Sequence, residues 1–111
     1  MLWEIVKVLE ERRSKLDTEI AELQKVLDTL PNGHLEEKVV KGKKYYYLRY
    51  WENGRLRSKY LGKDVTEIKE KFKIATETKV KLNRLIEERN RIVRILDKIN
   101  KILVENDPIN T

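Results

Sequence analysis

The stretch Gly42-Lys43-Lys44-Tyr45-Tyr46-Tyr47-Leu48-Arg49-Tyr50-Trp51-Glu52-Asn53-Gly54-Arg55 decides the fold of this chain. Aromatic residues crowd its centre, and a glycine turn signal stands at each end, which is the pattern of a β-strand between two hairpins. Asn53-Gly54 is the strongest short hairpin signal, because both residues tolerate φ > 0. Gly42-Lys43 fits the other common two-residue turn, with Gly first. Leu35 to Val40 and Leu56 to Leu61 supply the outer strands. The segment from about 35 to 62 therefore reads as a three-stranded antiparallel meander, which holds together when helices back one face.

Turns at 42–43 and 53–54 sort the side chains between two faces. One carries Val40, Tyr45, Tyr47, Trp51, Leu56 and Tyr60, with Lys38, Arg49 and Ser58 toward its margins. The other carries Tyr46, Tyr50, Arg55, Arg57 and Lys59, along with Leu35, Val39, Leu48 and Leu61. The first is the more apolar and is expected against the helices. The second is the candidate binding surface.

Charge singles out the same segment. From Leu35 to Lys63 there are nine Lys and Arg against three acids, an excess equal to the +6 of the whole chain. All five tyrosines lie there too. Cations interleaved with rings between charge-balanced arms suggest a module that touches polyanions.

Outward from the sheet, both arms read as helices. Leu2, Leu9, Leu16, Leu23 and Leu30 recur every seven residues, with Val6, Ile20 and Leu27 between them, and Arg13 breaks the second series. This is the seam of a coiled coil over about 2–30, closed by Pro31-Asn32-Gly33. Asp64 is a good N-cap with Glu67 three residues on, and a second seam runs from Ile68 to Leu103. Lys79, Arg89 and Asn100 interrupt it. Helix 2 is expected over about 64–104, with a tail at 105–111.

The fold class is thus α+β and mostly helical: an antiparallel two-helix coiled coil with the meander inserted at one end, residues 1–111 forming one domain. With Leu30 level with Val65, residue 2 would stand level with about residue 93, and the last turns of helix 2 would project beyond helix 1. The apolar stripes at those remote ends are wider than one seam needs. They predict a homodimer in a four-helix arrangement, joined through Leu2, Trp3, Ile5, Ile92, Ile95, Leu96, Ile99, Ile102 and Leu103.

The chemistry that is absent narrows the function. There is no cysteine, so disulfides and thiolate metal sites are excluded. His34 is the single histidine, and no Gly-rich phosphate cradle or nucleophile elbow occurs. Asp64 with Glu67-Ile68-Lys69 loosely matches an acid…Glu-x-Lys nuclease arrangement, but its place on a first helical turn suits capping better. No metal or other cofactor is expected, and no catalysis. Without a signal-like N-terminus or a run of ~20 apolar residues, the chain reads as cytoplasmic and not membrane-bound.

The run from Leu30-Pro31-Asn32-Gly33-His34 through the tyrosine triplet to Ser58-Lys59-Tyr60-Leu61 resembles a group of small prokaryotic proteins classed as a domain of unknown function. The shared pattern is a leading helix, a Pro-Gly step, the triplet, a Gly turn, a basic third strand and a trailing helix. Many of that group carry cysteines near the Gly-Lys turn; this chain has none, so the resemblance implies no metal site here. More loosely, the meander looks like the three-stranded arm-binding domains of tyrosine recombinases, which read DNA with a sheet.

The expected function is non-catalytic nucleic-acid binding, DNA ahead of RNA, through Lys41, Lys43, Lys44, Tyr46, Tyr50, Arg55, Arg57 and Lys59. Cations neutralise phosphates and release counterions, and exposed rings stack on unpaired bases. The alternative is an adaptor or inhibitor whose basic sheet captures an acidic protein partner.

Overall fold

The computed structural model describes residues 1–105. Its element order is α1 (Leu2–Asp28), β1 (His34–Val40), β2 (Lys43–Glu52), β3 (Arg55–Gly62) and α2 (Thr66–Glu105). The expected helix–meander–helix order is present, α+β and mostly helical. Of the expected tail, residues 106–111 lie outside the described residues.

The sheet is antiparallel with strand order β1-β2-β3, so β2 is central and both neighbours are edges. The second hairpin turns at Asn53-Gly54 as expected, with φ of 52° and 76°. The first turns at Lys41-Gly42, with φ of 52° and 79°, one residue earlier than the Gly42-Lys43 turn that the sequence suggests. A pair of positive φ angles is the type I′ geometry, which matches strand twist, so glycine serves better as its second central residue than as its first. Moving a two-residue turn by one position slides the strands by two, so every side chain keeps its face. Val40 accordingly pairs with Lys43, Lys38 with Tyr45 and Glu36 with Tyr47.

β3 holds a bulge. Tyr47 pairs with Tyr60 but Tyr46 pairs with Gly62, which leaves Leu61 as the extra residue. Bulges end pairing and redirect the strand. Here the chain turns through Gly62 (φ 88°) into α2 within three residues.

The described residues form two compact units, one of Met1–Asp28 with residues 78–105, the other of Thr29–Glu77. In the helical unit, Val6, Leu16, Leu85, Ile92 and Leu96 are buried, and Leu9, Ile20, Leu23 and Ile99 pack against them. Leu16 is fully buried, in the middle of the heptad series that predicted it. The Arg12 guanidinium grips Glu88 with two parallel bonds, Nε to Oε1 at 2.9 Å and Nη2 to Oε2 at 3.1 Å. This pairing raises the Arg12 pKa and lowers that of Glu88. Asp17 lies 3.5 Å from Arg89 and 3.9 Å from Arg13, so two of the residues that interrupt the seams meet on one carboxylate.

Those ion pairs change the expected alignment. With Arg12 opposite Glu88 in an antiparallel pair, the start of α1 falls level with about residue 98 rather than 93. The extra length of α2 is spent at its other end, where residues 66–77 group with the sheet. Ile92 and Leu96, expected at a dimer interface, are 6% and 5% exposed within a single chain and belong to its own core. Ile99 and Leu103 are half-buried, whereas Leu2, Trp3, Ile5, Ile95 and Ile102 stay exposed.

In the sheet unit, Val65 and Ala75 of the α2 end are buried, but no strand residue is. Asp64 caps the helix: its Oδ1 accepts from the Thr66 backbone N–H at 3.2 Å and from the Thr66 hydroxyl at 2.9 Å. These bonds hold the Asp64 carboxyl below its ordinary pKa. Glu67 lies 3.3 Å from Lys71 on the next turn.

Candidate nucleic-acid interface

Strand alternation divides the candidate residues between two sheet surfaces. The even-numbered side of β2 presents Lys44, Tyr46, Leu48, Tyr50 and Glu52. Register adds Arg55, Arg57 and Lys59 from β3, with Tyr50 opposite Arg57 and Leu48 opposite Lys59. Arg55, Arg57 and Lys59 are exposed, and Tyr46 and Tyr50 are half-buried. Arg55 and Arg57 stand about 6.8 Å apart along their strand. Lys41 sits in the first turn and Lys43 on the opposite side, so six of the eight expected contact residues share this surface.

The start of α2 approaches this same side. Lys69 Nζ lies 4.7 Å from the centroid of the Tyr46 ring, a cation–π contact between helix and strand. Nearby, Pro31, Leu61, Val65 and Ile68 line an open cleft of about 900 Å³. With Asp64 engaged by Thr66, Glu67 by Lys71 and Lys69 by Tyr46, the three residues of the nuclease-like arrangement have separate partners.

The odd-numbered side corrects an expectation. Val40, Tyr45, Tyr47, Trp51, Leu56 and Tyr60 were to be covered by the helices, yet Trp51 is 68% exposed and Tyr60 56%, with Val40 and Leu56 also open. The half-burial of Tyr45 and Tyr47 comes with contacts inside this surface. Tyr60 meets Tyr47 at 5.2 Å and Tyr45 at 6.4 Å between centroids. Lys38 Nζ stands 4.9 Å over the Tyr47 ring, and Lys63 Nζ 5.7 Å over Tyr45. Arg49 Nη1 donates to Glu36 Oε2 at 3.0 Å. Ring-on-ring and lysine-on-ring packing covers Tyr45 and Tyr47 in part, while the rest of the apolar surface stays open to water.

Of the nine Lys and Arg between Leu35 and Lys63, two pair with acids: Lys44 with Glu37 at 3.5 Å, and Arg49 with Glu36. The other seven have no acid partner among the described residues. Lys38 stands on the face the sequence assigns to it, and Lys63 is the ring contact that the strand pattern does not indicate. Lys63 follows the last strand residue, Gly62, so strand alternation does not reach it.

No group of His, Cys, Asp and Glu suited to a metal occurs among the described residues. No described helix is long and apolar enough to cross a membrane. A family model described as a domain of unknown function, DUF6788, matches residues 6–70, more than half of the chain. The match covers most of α1, the whole meander and the first turn of α2. Neither the curated proteins nor the solved structures contain a match.

Proposed function

Because the chain belongs to the DUF6788 family, a family of unknown function, we propose its role from the sheet itself: non-catalytic binding of nucleic acid, DNA foremost. The observation that carries this reading is the set of seven cations with no acid partner among the described residues, on and beside a sheet that has no buried residue. Surface cations that no acid occupies are free to neutralise phosphates and so release the counterions condensed on a polyanion, which drives association.

The edge strand β3 is the leading contact element. Arg55, Arg57 and Lys59 alternate along it on one side, at a spacing close to that of successive phosphates, and Tyr50 lies beside Arg57. Lys41, Lys43 and Lys44 extend the positive field around the first turn. The helices act as the scaffold, in a homodimer that joins through exposed apolar residues of both ends, Ile5 and Ile95 among them. The setting is cytoplasmic.

Gel shift of random-sequence DNA across a salt series tests the reading. Each phosphate contact contributes about −0.9 to the slope of log K against log salt. Replacing Arg55 and Arg57 by alanine should therefore flatten the slope by about 2. If neither DNA nor RNA binds at low salt, the reading falls, and an acidic protein becomes the ligand to seek.

A further inference from the structure

We infer that the odd-numbered side of the meander is a stacking platform for single-stranded nucleic acid. The inference rests on the polyanion reading above but places the bases on the surface opposite Arg55 and Arg57.

The first ground is an exposed aromatic surface that the chain leaves open to water. The Tyr60 ring meets both Tyr45 and Tyr47, and Trp51 stands farther along β2, opposite Leu56. Trp51 and Tyr60 are each more than half exposed. Tyr47 and Trp51 are four residues apart on one strand, about 14 Å. That separation exceeds the 3.4 Å between stacked neighbours in a duplex strand, so the two ring sites suit splayed bases.

The second ground is where the charge lies. Lys38 and Lys63 hold their ammonium groups directly beside the tyrosine rings, and Lys43 shares the surface. Glu36, the one acid on this side, is occupied by Arg49. A ligand complementary to this surface carries anionic groups and flat π-faces in alternation. A single strand has that structure, whereas a duplex keeps its base faces stacked inside. An acidic peptide would satisfy the lysines and leave the rings open. A membrane-inserting face would gather its apolar residues in one block; here Val40 lies at one end, Trp51 and Leu56 at the other, and Arg49 and Ser58 between them.

Fluorescence anisotropy of the full chain separates the outcomes. The probes are labelled dT20, rU20 and a 20-base-pair duplex, with vesicles of phosphatidylglycerol and phosphatidylcholine as a further arm. Either oligonucleotide should bind at least tenfold tighter than the duplex. Loss of one stacking ring should weaken single-strand binding by about 5- to 150-fold. Trp51→Ala and Tyr60→Leu should both show that loss, and Tyr60→Phe, which keeps the ring, should not. Circular dichroism confirms that each variant is folded. If duplex and single strands bind alike and the ring variants bind as the parent does, the platform is refuted while the polyanion reading stands. If no polymer binds, both fall. Binding of vesicles in place of oligonucleotides also overturns the inference.

Discussion

Gly33→Ala is the substitution whose effect follows most directly from the backbone. Gly33 has φ of 100°, and a Cβ built on it would stand 2.0 Å from the Arg49 carbonyl oxygen and 3.0 Å from Tyr50 Cα. Every atom it would meet is main chain of the central strand, so no side chain can swing aside. Relief requires about 1 Å of movement between the loop entering β1 and the middle of β2. The positive φ itself costs an L-residue about 1–2 kcal/mol, and forcing extra bulk into a packed contact adds about 1–3 kcal/mol. The total, about 2–5 kcal/mol, is a large part of the 5–15 kcal/mol that holds an ordinary domain together. At about 4–8 °C per kcal/mol, melting should fall by at least 8 °C. Gly54→Ala is the control: φ is 76° but nothing lies within 4 Å, so only the conformational cost applies. Thermal melts followed by Trp51 emission in a Trp3→Phe background report on the sheet, because Trp3 is the other tryptophan and lies in α1. Equal melting temperatures for the two alanine variants would refute the contact argument.

Leu16→Ala should cost about 2–5 kcal/mol in urea unfolding, since it hollows a fully buried site, whereas Ile5→Ala, half exposed, should cost under about 1 kcal/mol. Asp64 and Glu88 both have carboxyl groups with folded pKa values below their unfolded ones. Their stabilisation is therefore complete above about pH 4–5 and is lost as pH falls through the folded values. Melting temperatures from pH 7 to pH 2 should drop less steeply for the double variant Asp64→Asn, Glu88→Gln than for the parent. Light scattering should give twice the 13.3 kDa chain mass, and Ile5→Glu with Ile95→Glu should return the mass to a single chain.

The helical elements were legible because their signals are local and repeated. A leucine every seventh residue marks α1 regardless of its partner, and Asp64 with Pro31 brackets the sheet through backbone chemistry alone. The strand faces were legible for a subtler reason. The first turn forms at Lys41-Gly42 instead of Gly42-Lys43, yet a one-residue turn shift leaves side-chain parity intact, so all the residues of Val40, Tyr45, Tyr47, Trp51, Leu56 and Tyr60 still share a face. Helix alignment was less accessible. It depends on where α2 passes from the sheet unit to the helical unit, and the Arg12–Glu88 grip that marks the register joins residues 76 positions apart.

Which face of the sheet stays open was beyond the sequence because hydrophobicity orders faces only when one of them must be buried. In this meander neither is: each strand residue retains at least partial exposure, and a tyrosine ring covered by another ring or a lysine stem loses contact with water without any helix overhead. The bulge at Leu61 and the tight turn through Gly62 lead the chain to the Tyr46 side, where Lys69 meets the ring, and so the side that also carries Arg55, Arg57 and Lys59 receives the helix. Local backbone geometry outweighs a difference in apolar content that self-packing has already reduced. The same reasoning gives the two surfaces distinct chemistry, with guanidinium groups along an edge strand on one and rings with lysines on the other. Variants of Arg55 and Arg57 should thus act mainly on salt dependence, and variants of Trp51 and Tyr60 on the preference for unpaired bases.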